Sequence, residues 1–114
     1  MKKAYQIILG TIMLVACGTT KLIQPTQADA ERGGQKFSNL SLDQLVQGKA
    51  LYEQNCALCH GLKKPGSRNE AQWNKIVPAM SAKVNRKKGE GTLSSEKQDI
   101  LMRYLVTMGN NQSK

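Results

Sequence analysis

Aromatic side chains are scarce in this 114-residue chain, at 4% of residues. A small core built with so few of them is marginal, and domains of this size often lean on a metal, a disulfide or a cofactor. Histidine occurs once, as His60, and cysteine three times, at positions 17, 56 and 59. A structural zinc site needs four protein ligands, so these residues alone do not build one. No apolar run reaches the roughly 20 residues of a membrane-crossing helix. Acidic residues are also few, with 8 Asp and Glu against 17 Lys and Arg, a net charge of +9. A basic balance fits a nucleic acid, a membrane surface or an acidic protein partner, and by itself selects none of them. The length is that of one small domain.

The chain begins MKKAYQIILGTIMLVAC. Lys2 and Lys3 precede an apolar run from Ile7 to Ala16. Its length and flanks read as an export signal, residues 1–16. The run ends in Leu14-Val15-Ala16-Cys17, which resembles the bacterial lipobox. That resemblance implies acylation of Cys17, which would become the first residue of the mature chain. Several acyl chains on one cysteine anchor a protein far better than one does. With Cys17 so occupied, Cys56 and Cys59 remain as a local pair with one shared job. Losing Lys2 and Lys3 lowers the charge by two and leaves the chain basic.

Residues 17–38 lack a sustained apolar period and hold Pro25 and Gly33-Gly34, so they are expected to be a flexible tether. A compact domain follows over residues 39–114. Three stretches have helical spacing. In 41–56, Ser41 and Gln44 form a candidate capping box, and Leu42, Leu45, Val46 and Ala50 share a face. In 69–80, Asn69 is the candidate cap, and Trp73, Ile76, Val77 and Met80 share a face. Pro78 is expected to kink or end this helix near Val77. In 94–109, a serine caps, Ile100, Leu101, Tyr104, Leu105 and Met108 form the apolar face, and Gly109 is expected to close the helix. No stretch alternates as a strand does. The expected fold class is all-α.

The stretch N55-C-A-L-C-H-G61 concentrates the chemistry. C-x-x-C-H is an attachment signal for c-type haem. Two cysteines three apart on a turn reach the two vinyl groups of one haem, and the next residue, His60, lies on the proximal side of the iron. Its other ring nitrogen is then free to donate to a carbonyl. A thioredoxin-like redox pair needs a βαβ context that this pattern lacks. A zinc site completed by acidic residues and a chance occurrence in a loop are the remaining alternatives.

Gly48 and Tyr52 precede Cys56 by eight and four residues, and Tyr104 sits in the last helical stretch. With C56-A-L-C59-H60, W73…M80 and L93-S-S-E, this pattern resembles the small class I cytochromes c over residues 41–108. The resemblance implies a small cytochrome c fold, with three main helices around one covalent haem c. It also implies a close crossing of first and last helices at Gly48 and Tyr104. Cys56 and Cys59 would form the thioethers, and His60 would be the proximal iron ligand. A single histidine excludes bis-histidine ligation. Met80, beside Pro78 and twenty residues after His60, is the candidate distal ligand. Met102 and Met108 fall in the last helix, away from the iron. Pro65 is a candidate acceptor for the His60 ring N–H, although its spacing is shorter than in many relatives. Trp73 is a candidate donor to a haem propionate, or else a core residue at the haem edge.

An iron with both axial positions filled has no open place for a substrate, so the expected role is electron transfer and not catalysis. The expected setting is the bacterial cell envelope, lipid-anchored and facing the periplasm or cell exterior. Lys63, Lys64, Lys75, Lys83, Arg86, Lys87 and Lys88 would favour acidic redox proteins or a respiratory complex as partners. The export signal disfavours nucleic acid. A gas-binding or sensing haem domain with a labile or open sixth site, and a fixed subunit of a larger oxidoreductase, are the alternatives.

Overall fold

The structure is a computed structural model that describes residues 22–56 and 61–112. Cys17, Cys59 and His60 lie outside the described residues, as does the expected signal at 1–16. Among the described residues there are four helices: α1 (Gln27–Gly33), α2 (Leu42–Asn55), α3 (Glu70–Lys88) and α4 (Ser95–Gln112). A 3-10 turn, Pro65–Ser67, precedes α3. Among the described residues there is no strand, so the all-α expectation is met.

α4 is the element on which the others are built. α1, α2, α3 and the 3-10 turn all pack against it. Its Leu101, Tyr104, Leu105 and Met108 are almost fully buried, and Ile100 is 8% exposed. Ser94 caps it through its side chain, which accepts the Lys97 N–H at 3.3 Å. Met108 fills the core, and Met102 is half-buried beside it. The helix does not close at Gly109. It runs to Gln112, and glycine is needed for another reason. A Cβ on Gly109 would stand 3.2 Å from the Pro65 carbonyl oxygen, so the backbone of the 3-10 turn passes where a side chain would be.

α2 crosses α4 at Gly48. A Cβ there would overlap Tyr104 Cβ and lie 2.9 Å from the Ile100 carbonyl oxygen. The crossing implied by the sequence resemblance is therefore present. It also rotates α2 relative to its apolar pattern. Leu45, Gly48, Leu51, Tyr52 and Asn55 are buried, while Val46 is 39% exposed and Ala50 is exposed. Gly48 carries no hydrophobic signal, so a periodicity count misplaces the buried face by about one residue. Ser41 Oγ accepts the Gln44 N–H at 3.1 Å. The expected return bond is missing, because Gln44 Oε1 is buried without a partner.

α3 continues past Pro78, which was expected to kink or end it near Val77, and does not end there. Asn69 and Gln72 form a complete capping box at its start. Proline removes one hydrogen bond and crowds the carbonyl four residues back. Both Pro78 and Asn74 are exposed, so the loss falls on the side open to solvent. After Met80 the helix continues for two further turns. These end at Gly89, and Asn85 ties the turn to α4 by accepting the Leu93 N–H at 2.7 Å and donating to its carbonyl at 3.1 Å.

Residues 22–40, expected to belong mostly to a tether, are partly helical and docked. Thr26 and Asp29 form a complete capping box. Ala30 and Gly33 are buried. Arg32 bonds Asp29 at 2.9 Å and donates to the Thr107 carbonyl at 3.1 Å, fastening α1 to α4. Burial would raise the Asp29 carboxyl, but hydrogen bonds from Thr26 and Arg32 outweigh it and hold it below its ordinary 3.8. The two glycines and the polar composition imitate a linker, and the docking depends on α4, seventy residues away in sequence.

The crossing gives a direct test. Gly48→Ala should destabilise the protein, because overpacking costs about 1–3 kcal/mol and the neighbours here are backbone and Cβ atoms. The helix-propensity gain of about 1 kcal/mol offsets only part of this. Denaturant unfolding of the holoprotein should show a lower midpoint, and Gly48→Val a still lower one.

Candidate functional site

One apolar cleft lies where the end of α2, the 61–68 segment, α3 and α4 meet. It encloses about 670 Å³ of space, its open side included. α2 contributes Tyr52 and leads into Cys56 at the border. α3 contributes Trp73, Val77, Met80 and Ser81, and α4 contributes Leu101 and Leu105. Gly61, Lys63 and Arg68 border it from the connecting segment.

The chain fixes these walls with specific polar contacts. The Tyr52 hydroxyl donates to the Lys63 carbonyl, which seats the connecting segment on α2. Burial pushes that hydroxyl up to about 12. The Tyr52 ring meets Trp73 edge-on with centroids 6.1 Å apart. The Trp73 indole N–H donates to the Pro65 carbonyl at 2.9 Å. Trp73 is therefore a buried residue of the cleft wall whose indole has a protein acceptor, while the His60 ring expected to donate to Pro65 lies outside the described residues. Asn55, 4% exposed, donates to the Leu51 carbonyl at 2.9 Å and so braces the turn before Cys56.

Cys56, Trp73 and Met80 thus share one cleft, and Pro65 supports it from behind. Met80 is the methionine that borders the cleft among the described residues. The sequence reading missed Arg68, Leu101, Leu105 and Ser81 as wall residues. For Ser81 a signal existed. It occupies the buried stripe Trp73, Val77, Ser81, Val84, where a hydroxyl is out of place. Its Oγ is buried without a hydrogen-bond partner among the described residues, although a mid-helix serine commonly bonds the carbonyl four residues back. An orphaned hydroxyl at the wall of an apolar cleft fits a site shaped for a bound group. Among the described residues no three His, Cys, Asp or Glu side chains gather as a metal site, and no helix is long and apolar enough to cross a membrane.

The model of the family described as cytochrome c matches residues 45–112, more than half of the chain. The chain belongs to the cytochrome c family. Members hold a covalently attached haem c, and most are electron carriers. No curated protein matches the chain, and no solved structure does. The matched segment contains both cysteines of the C56-A-L-C59-H60 motif, all of α3 and α4, and most of α2. The residues present fit a haem. Cys56 stands at the edge of an apolar cleft, cationic Lys63 and Arg68 border it, and a methionine lines it. In this cytochrome, α1 lies outside the matched segment and is an addition to it.

The Tyr52 contact yields a pH prediction. A tyrosine whose folded value is raised from 10.0 to about 12 stabilises the fold fully below pH 10. That contribution is lost as pH rises from 10 towards 12. Tyr52→Phe should cost about 1 kcal/mol at neutral pH, the worth of one hydrogen bond. It should also flatten the fall in stability between pH 10 and 12, as followed by denaturant midpoints.

Proposed function

We propose that this cytochrome carries single electrons between redox partners outside the cytoplasm, tethered to a membrane through lipid on Cys17. The observation that supports it best is the sharing of one apolar cleft by Cys56, at the head of the attachment motif, and Met80 on α3. In this reading Cys56 and Cys59 hold the haem c covalently. His60 is the proximal iron ligand and Met80 the distal one. The bound haem supplies one-electron exchange at its iron. The chain's part would be to hold the iron through His60 and Met80, so that no position is left open to a substrate. Trp73, Val77, Leu101 and Leu105 keep water from the centre of the cleft, which shapes the reduction potential.

Exposed Lys63, Lys64, Lys75, Lys83, Arg86 and Lys87 make acidic redox proteins or a respiratory complex the fitting partners, with association that slows as salt rises. Lys63 borders the cleft itself. Lys88 is exposed as well, and its amino group bonds Gln54 and Asn55. With residues from Leu22 onward docked through α1, only five steps of chain separate Cys17 from the described residues. Five residues reach at most about 18 Å. The domain would therefore stay close to the bilayer, which favours a partner in the same membrane.

Two measurements test this reading. In the ferric holoprotein, the weak long-wavelength band of methionine ligation should be present, and carbon monoxide should bind the ferrous form poorly. Met80→Ala should abolish the band and open the site to the gas. Ready binding of carbon monoxide by the unaltered protein would move a sensing role ahead of electron transfer. Separately, Cys17→Ser should shift the protein from the membrane to the soluble fraction after cell breakage. Retention in the membrane fraction by Cys17→Ser would remove the lipid anchor from this reading.

A further inference from the structure

Met80 sits near the middle of α3, seven residues after Trp73 and eight before Lys88. Each of those two residues makes a hydrogen bond that leaves the helix. At one end, Trp73 Nε1–H donates to the Pro65 carbonyl at 2.9 Å. At the other, Lys88 Nζ donates to the Gln54 carbonyl at 3.3 Å and to Asn55 Oδ1 at 3.2 Å. The acceptors have one thing in common. Asn55 immediately precedes Cys56, and Pro65 follows His60 by five residues, so they flank the haem-attachment motif on either side. Three of the five residues that make the bracket, Trp73, Pro65 and Asn55, are buried.

We infer that α3 is bracketed at both ends onto the flanks of the attachment motif, and that Trp73 and Lys88 are positioning residues for Met80. The inference rests on Met80 being the distal ligand. The physical reason lies in what else holds α3. Val77 and Val84 bury against the core, and apolar burial is non-directional, so it resists lifting the helix more than sliding or rocking it. Directed hydrogen bonds fix what packing leaves free. At 1.5 Å of rise per residue, the two pins lie roughly 10–12 Å along the axis from Met80, one on each side. A displacement at either pin is therefore shared by the midpoint. A thioether carries no charge to draw it to a metal, so its place in the site depends on the backbone that presents it.

Lys88 is well suited to its end of the bracket. A lysine amino group can satisfy the carbonyls left unpaired at a helix C-terminus and is favoured there by the helix dipole. α2 has no basic residue in its own last turn, and Lys88 supplies that charge from α3. Asn55 is held in turn by its bond to the Leu51 carbonyl, so the Lys88 contact meets a braced acceptor. Lys88 remains exposed, but its amino group has a task within the molecule.

The test uses the purified holoprotein and its variants Trp73→Phe, Lys88→Met, the double variant, Lys88→Arg, Lys97→Met and Met80→Ala. Trp73→Phe keeps a ring and deletes the donor. Lys88→Met keeps the apolar stem and deletes the donor, and Lys88→Arg keeps a donor. Lys97, on α4, lies outside the bracket. The readouts are the ferric long-wavelength band and the rate at which carbon monoxide displaces the distal ligand from the ferrous protein. Trp73→Phe and Lys88→Met should each speed displacement about 2- to 10-fold, the range for loss of one hydrogen bond. The double variant should approach the product, while Lys88→Arg and Lys97→Met stay near the unaltered protein. If Trp73→Phe and Lys88→Met react no faster than Lys97→Met while Met80→Ala binds the gas at once, the bracket is wrong and the ligand assignment stands. If the unaltered protein lacks the band and Met80→Ala changes nothing, the ligand assignment fails and the bracket falls with it. Should Lys88→Met not accumulate, Trp73→Phe and Lys88→Arg decide: an unchanged rate in Trp73→Phe overturns the inference.

Discussion

The close passage of α2 over α4 at Gly48 and Tyr104 is the contact on which the remaining geometry depends. It sets the axial rotation of α2, and that rotation decides which residues emerge at its end. With Gly48 against Tyr104, Tyr52 falls four residues on and points to the cleft, and Cys56 follows one turn later at its border. A rotation by one residue would bury Val46 and Ala50 and carry Tyr52 away from Trp73 and Lys63. The glycine lowers helix propensity, and the burial of Leu45, Leu51 and the ring of Tyr104 outweighs that cost because the backbones approach so closely.

From this crossing the site assembles as a set of braces around a poorly filled centre. Tyr52 holds the connecting segment, Trp73 holds the 3-10 turn, Lys88 holds the end of α2, and Asn85 closes the turn into α4. The polar contacts lie at the rim, and the interior is lined with Val77, Leu101 and Leu105. Such an arrangement suits a large apolar group attached at one edge. It also accounts for the scarcity of aromatic residues: the bound group would supply the bulk that a core of this size otherwise needs from side chains. Ser81, an orphaned hydroxyl in the same wall, points to a site shaped for an occupant.

Much of this was legible in the residues. The helices at 42–55, 70–88 and 95–112 carry caps or apolar faces that local chemistry specifies, and the Gly48 and Tyr104 pairing was readable beside the attachment motif. Where reading and structure diverge, a distant partner is responsible. Gly109 resembles a helix stop, yet it is spared a side chain because the Pro65 backbone passes there. Pro78 resembles a helix end, yet its lost bond falls on the exposed side. The Gly-rich, polar residues of α1 resemble a tether, yet Arg32 finds the Thr107 carbonyl. The indole of Trp73 finds the Pro65 carbonyl, an acceptor to which no local rule points.

The sequence by itself determined the all-α class, which follows from residue type and helical period acting over a few neighbours. The haem roles proposed for Cys56, Cys59, His60 and Met80 rest on the attachment motif and on the family resemblance. Only the tertiary structure decided the docking of α1, the rotation of α2, the continuation of α3 beyond Pro78 and the partners of Trp73 and Lys88. Those outcomes depend on hydrogen bonds and close approaches between residues 8 to 75 positions apart, where no local pattern in the chain records which groups will meet.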